Sequence, residues 1–375
     1  MKDQFIEALR QKYGNEIIAS NLSKEAHEQG ISYSTASKYV AEFKQSRALW
    51  NLDLTVLENA YIAPSAEGKD SMNVIEENYI PKKDPNYVAF GSYSLIKSII
   101  SSEIFYPGFI TGLSGNGKTL GIEQACAHLK RELIRVNLTA ETDEDDLIGG
   151  YRLVDGNTVW QDGPVIEAMK RGAILLLDEI DLATNKIMCL QSVLEGKGVF
   201  LKKIGMKVNH ADGFNIFATA NTKGKGSEDG RFVGTNVLNE AFLERFPVTF
   251  EQEYPSKKVE EKILTKLAQS LQIPMIGEHE DFIRHLCTWA ETIRKTFDEG
   301  GVDEIISTRR LAHIIRAYKI FGKKEKAIAL CLNRFCKNTQ SEFKELYDKI
   351  DVSYEQANEE EANAASNQFV IDIES

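Results

Sequence analysis

From about residue 88 to residue 250, short apolar runs alternate with stretches in which apolar residues recur every three to four positions. That alternation predicts βαβ units around a parallel sheet. The clearest strand-like runs are GFIT, LIRVNL, AILLLD, FNIFATAN and FPVTFE. AILLL carries no polar alternation, as expected of a strand covered by helices on both faces. From residue 256 to about 348 the period is helical, as in SKKVEEKILTKLAQSL, DFIRHLCTWAETIRKTF and TRRLAHIIRAYKIF. Ahead of the sheet pattern, residues 2 to about 45 read as short helices. There Ala26, Gly30, Ile31, Ala36 and Tyr39 fall near the small, turn and apolar positions of a helix-turn-helix, with SYSTASKY as its second helix.

Composition narrows this picture. The 375 residues are 42% apolar and 27% charged, which suits two or three packed units. The N-terminus interrupts every apolar run with charge, and no run reaches membrane-spanning length, so a cytoplasmic protein is expected. A net charge of -11 argues against a surface that wraps nucleic acid as a whole, although a local patch remains compatible with it. In residues 1 to 50, seven cations face six anions, a net of +1, so the helical module suits a protein contact as well as a phosphate backbone. The five cysteines form no CxxC pair, and all five are read as reduced core thiols. Residues 51–87 hold Pro64, Ser65, Gly68, Pro81 and Pro85 among charges and read as a linker. Residues 350–375 are acidic, poor in core-forming side chains and read as a flexible tail.

The chemistry concentrates where GFIT ends. Gly112, Gly117, Lys118 and Thr119 fit GxxxxGKT between a strand and a helix whose apolar residues are expected at Leu120, Ala125, Leu129 and Leu133. Glycines in this position, with Gly115 between them, let the backbone amides of Asn116, Gly117 and Lys118 converge on a phosphate at a helix N-terminus. Lys118 then neutralises phosphate charge and the Thr119 hydroxyl ligates magnesium. AILLL ends in Asp178 and Glu179, which places one carboxylate for magnesium and one for the attacking water at the carboxyl edge of the sheet. FNIFATAN ends in Asn221, suited to bond a terminal phosphate or its water and equally to terminate a strand. Arg245 closes a helix before a strand, and Arg309 and Arg310 open another helix. A cation at a helix N-terminus opposes the macrodipole, so that pair suggests an anionic partner.

The order of these motifs resembles that of the AAA+ ATPases, and more narrowly the MoxR-like group with its CobS type of cobaltochelatase subunit. GLSGNGKT, IRVNL with DLIGGY, LLLDEIDLATNKIMCLQSVLEGKG, FNIFATANTKGKG, GTNVLNEAFLERF and STRRLAHIIRAYKIFG carry the resemblance across residues 88 to 345. It implies a P-loop α/β domain over 88–252, a parallel sheet sandwiched by helices, followed by a helical lid over 253–349. It also implies ATP with Mg2+, a homo-oligomeric ring, taken as a hexamer, and an ATP-driven motor that remodels a partner protein, with metal chelation among the roles. Within it Asn221 is the first sensor, Arg245 the finger that reaches a neighbouring subunit's nucleotide, and Arg309 the second sensor. A hairpin turning at Asp155, Gly156 and Asn157 is expected to project toward a pore or partner. The chain departs from the pattern at Asn116, where threonine is usual, and at Thr308, where proline is common. The competing reading is a DNA-binding protein whose N-terminal module is controlled by the nucleotide switch.

Overall fold

The computed structural model describes residues 2–13, 16–40, 44–46, 49–51, 78–226 and 234–351. The chain divides into two units, 1–73 and 74–375. The tail at 352–375 and most of the linker, 52–77, lie outside the described residues.

In the first unit, α1 (Lys2–Tyr13), β1 (Glu16–Ile18), α2 (Ala19–Glu28) and α3 (Tyr33–Tyr39) precede β2 (Lys44–Ser46) and β3 (Leu49–Asn51). Gly30 takes a φ of 68° in the turn between α2 and α3, and the Ser32 hydroxyl caps α3 by accepting from the Thr35 amide. Phe5, Leu9, Ile17, Leu22, Ala26, Ala36 and Val40 form the core. Two helices joined by a turn thus lie where the sequence suggested, but the module is not purely helical: an antiparallel sheet in the order β1-β3-β2 completes it. Three-residue strands are too short to display a two-residue period, and the sequence pattern passes over them.

The second unit begins its regular elements with α4 (Tyr93–Ser102), β4 (Gly108–Thr111), α5 (Lys118–Leu129) and β5 (Leu133–Asn137). α6 (Glu144–Leu147), the hairpin β6 (Gly149–Val154) and β7 (Asn157–Asp162), α7 (Pro164–Arg171) and β8 (Ile174–Asp178) follow. Two 3-10 turns and α8 (Gln191–Leu194) lead to a second hairpin, β9 (Val199–Leu201) and β10 (Met206–Val208), and then to β11 (Asn215–Ala220). α9 (Glu240–Leu243) and β12 (Val248–Glu251) close the α/β part. The helical region is α10 (Lys257–Ser270), α11 (Glu278–Asp298), α12 (Thr308–Phe321) and α13 (Lys324–Leu332), with a last helix over 337–351.

The five runs read as strands form one sheet in the order β12-β4-β11-β8-β5, and every pairing in it is parallel. Every residue of β4, β8 and β11 is buried. Their alternate side chains enter two layers, Leu175 and Leu177 on one face, Ile174 and Leu176 on the other. Each fully buried aliphatic side chain contributes roughly 1.5–3 kcal/mol, so a polar residue in these strands is tolerated only at their ends. The fold class read from the sequence is thus found: a helix-flanked parallel sheet followed by a helical region.

Some side chains fall elsewhere than expected. The buried face of α5 is Ile122, Ala125 and Cys126; Leu120 is 40% exposed and Leu133 opens β5. Cys336 is exposed, and Cys189 and Cys331 are half-buried, so only Cys126 and Cys287 are core thiols. Residues 78–87, read as linker, run along the second unit: the Leu133 amide donates to Tyr79 O at 3.0 Å and the Asp84 amide to Gln124 Oε1 at 2.8 Å.

Candidate functional site

Three neighbouring parallel strands, β4, β11 and β8, end at the same edge of the sheet, and the loops that leave them meet there. The loop after β4 depends on backbone freedom. Gly112 has a φ of 146°, and a Cβ on it would collide with the Gln252 carbonyl; Gly117, at 88°, is the residue from which α5 starts. Asn116 is buried, and its amide Nδ2 donates to Gln252 O, anchoring the loop to the end of β12. The Asn at this departure from the usual motif therefore has a structural partner.

Lys118 lies along the inside of the loop. Its ammonium donates to Gly112 O at 2.6 Å, to Leu113 O at 3.0 Å and to Asn221 Oδ1 at 3.2 Å. Burial lowers its pKa to about 8, against the opposing pull of Asp181 and Asp178. An anion bound against the ammonium would favour its protonated form.

Asp178, at the end of β8, is the centre of a second cluster. Its Oδ1 accepts from Thr119 Oγ1 at 3.0 Å and from the Thr219 hydroxyl, and its Oδ2 accepts from Arg135 at 2.6 Å. Glu179 follows with a left-handed φ of 58°, which turns its exposed side chain away from the strand. Among the described residues its carboxylate makes no hydrogen bond or ion pair, although its charge acts on Lys118. Asn221 is held from behind: Asp181, 0% exposed, accepts from the amides of Asn221 and Thr222, both at 2.9 Å, and from the Thr222 hydroxyl.

These groups face one cavity of about 510 Å3. Gly115, Asn116, Gly117, Lys118, Thr119, Asp178, Glu179, Asn221 and Arg309 line it, with Gly112 beneath the loop. Tyr87, Val88, Ile263, Leu267 and Ala312 line it as well. Of the two adjacent arginines, Arg309 lines the cavity, whereas Arg310 donates to Cys331 O at 3.1 Å. Arg245 is not in this cavity. It donates through Nε to Glu195 Oε1 at 2.9 Å and through Nη1 to Ala241 O.

Three residues of the site were not read from the sequence. Arg135 stands in a run read only as a strand, where one cation gives no signal. Thr219 belongs to an equally apolar strand. Asp181 follows two acids that already satisfied the motif, and its order in DEID was the available clue.

Hard oxygen donors, a hydroxyl and a carboxylate 3.0 Å apart at Thr119 and Asp178, fit a magnesium ion that keeps water and phosphate oxygens as its other ligands. Residues 107–246 match the family described as AAA domain (dynein-related subfamily). Over those residues the chain is similar to this family. Its resemblance to MoxR-like AAA+ ATPases is thereby borne out. Over 250 residues it is 27% identical to the aerobic cobaltochelatase subunit CobS of a Sinorhizobium species, covering 65% of this chain and 74% of CobS. It is 33% identical over 117 residues to NorQ of Paracoccus denitrificans, covering 31% of this chain and 43% of NorQ. A stretch of 142 residues is 31% identical to midasin of Giardia intestinalis, covering 37% of this chain and 3% of midasin.

Proposed function

We propose that the chain is an ATP-hydrolysing ring subunit that uses the AAA domain to remodel a partner protein. The observation that carries this reading is the single cavity in which the phosphate loop, Lys118, the Thr119–Asp178 pair, Glu179, Asn221 and Arg309 converge. The loop amides and Lys118 bind the β- and γ-phosphates. Thr119 and Asp178 would hold magnesium, which when bound would neutralise phosphate charge. Glu179, whose carboxylate makes no hydrogen bond or ion pair among the described residues, accepts the proton of a water aligned on the γ-phosphorus. The new P–O bond forms as the bond to the β-phosphate oxygen breaks, leaving ADP and phosphate. Asn221 orients that water or the γ-phosphate, and Arg309 neutralises developing charge.

Arg245 completes the site of an adjacent subunit in this reading, consistent with its position outside the cavity of its own chain. A finger supplied in trans is worth about 10³–10⁵ in rate, or roughly 4–7 kcal/mol of barrier. An isolated subunit is therefore nearly inactive, and assembly, as a hexamer, switches hydrolysis on. The hairpins β6–β7 and β9–β10 supply a surface for the partner: Leu153, Val159, Phe200 and Met206 are exposed on them, and Tyr151 ties them together by donating to Lys203 O at 3.1 Å. The finer role, an ATPase subunit of a cobaltochelatase, is supported by the likeness to CobS. The deciding experiment is ATPase activity as a function of protein concentration, followed by capture of partners on a Glu179→Gln variant loaded with ATP. Turnover per subunit that is high and independent of concentration down to the monomer refutes the ring reading.

A second reading concerns the first unit, where a turn at Gly30 joins α2 to α3 as in a helix-turn-helix. If this unit grips duplex DNA, the full chain binds it with affinity falling steeply as salt rises. No binding at low salt refutes it.

A further inference from the structure

A chain of polar groups, with Tyr254, Glu260 and Arg294 outside the motifs, lines a second pocket beside the phosphate loop and reaches Ser114 and Thr308 at the wall of the nucleotide cavity. Glu260 on α10 has a side chain only 1% exposed, where an ionised carboxylate persists only with close partners. Two other helices supply them. Arg294 on α11 donates through Nη2 to Oε1 at 2.8 Å and through Nη1 to Oε2 at 3.1 Å, a two-pronged pairing. Thr308, the first residue of α12, donates its hydroxyl to Oε1 at 2.5 Å. Proline, common at this position in the resembling motif, has no such hydroxyl. Arg294 also donates through Nε to Ile306 O at 2.8 Å, which fixes the approach to α12.

The chain continues into the phosphate loop. The Arg294 guanidinium lies over the ring of Tyr254, 4.1 Å from its centroid, a cation–π contact that holds the ring in place. The Tyr254 hydroxyl donates to Ser114 O at 2.7 Å. Burial pushes the phenol pKa up, so the group stays a donor at working pH. The adjoining residue is tethered separately: the Arg309 amide donates to Gly115 O at 3.3 Å. Gly115 approaches Ser307 so closely that a Cβ on it would stand 2.8 Å from the Ser307 hydroxyl.

We infer that Tyr254 is a positioning residue for the phosphate loop, fixed by the buried Glu260–Arg294–Thr308 clasp, so that the packing of three lid helices sets the Ser114–Gly115 turn. The amides that receive phosphate follow this turn directly, and a lid that shifts on α10–α12 carries it along. The effect on nucleotide affinity rests on the proposed ATPase function; the effect on the loop does not.

Tyr254→Phe in the full-length protein keeps the ring under Arg294 and removes only the donor. Without nucleotide, amide hydrogen exchange at residues 114–117 is expected to rise by about fivefold with α11 unchanged. The dissociation constant for a fluorescent ATP analogue is expected to weaken by about 3–10-fold, with kcat at saturation within about twofold of the parent. Arg294→Lys, which keeps charge but loses the two-pronged geometry, is expected to reproduce both changes. Parental exchange at 114–117 in Tyr254→Phe overturns the inference, and so does parental affinity combined with a large loss of kcat. Faster exchange in a protein that binds no nucleotide, before and after Lys118→Ala, keeps the positioning role and removes the ATPase reading instead.

Discussion

Arg135 donates to Asp178 Oδ2 at 2.6 Å, on the carboxylate whose other oxygen receives Thr119 at 3.0 Å. A guanidinium thus occupies one side of the group proposed to hold magnesium. Its side chain is 43% exposed, so solvent screens much of its charge and its influence is modest. Arg135→Gln is expected to lower the magnesium concentration for half-maximal nucleotide binding by about threefold. A magnesium titration of binding, rather than of turnover, reads this directly, and an unchanged midpoint shows that Arg135 does not compete with the metal.

Variants of Lys118 and Glu179 are expected to separate binding from chemistry. Lys118→Ala removes a charge-assisted contact and is expected to weaken ATP binding by about 30-fold or more. Glu179→Gln keeps the shape and the bound nucleotide and is expected to lose roughly 10²–10⁴ in kcat. Equal turnover in Glu179→Gln and the parent would exclude Glu179 as the base.

Arg245 is expected to act across a subunit junction. Arg245→Ala and Glu179→Gln proteins are each expected to be inactive alone, whereas mixed rings of the proposed kind would contain junctions with an intact glutamate facing an intact arginine. Mixing is expected to restore a measurable fraction of turnover, largest near equal proportions. Absence of recovery at every ratio, in rings shown by light scattering to exchange subunits, argues that the finger is not Arg245.

The acidity of Lys118 gives a pH dependence with a definite sign. Burial lowers its pKa to about 8, so the nucleotide-free protein loses this proton as pH rises through that value. Phosphate favours the protonated form, so affinity is expected to be flat below pH 8 and to fall by roughly tenfold per pH unit above it. Calorimetry in buffers of different ionisation enthalpy is expected to show proton uptake on binding near pH 8–9. Binding that is constant from pH 7 to 10 contradicts this assignment.

The main sheet was legible because its strands are continuous apolar runs, two of them stopped sharply by glycine or acid, at Thr111 before Gly112 and at Leu177 before Asp178. The phosphate loop and acid pair were legible because their chemistry is local in sequence. The remainder depends on distance along the chain. Arg135 meets Asp178 across 43 residues, and Glu260 meets Arg294 across 34, pairings that no spacing rule announces. The strands β1, β2 and β3 were hidden for the opposite reason, being too short to carry a pattern of their own.

The reactive row at the sheet edge inherits its dimensions from the ladder of main-chain hydrogen bonds joining β4, β11 and β8. Neighbouring strands lie about 4.8 Å apart whatever side chains they carry, so the interior can be exchanged widely without respacing the polar groups at the strand ends. Length is the quantity that cannot drift: deleting one residue from β11 would retract Asn221 by about 3.3 Å and swing it through to the opposite face.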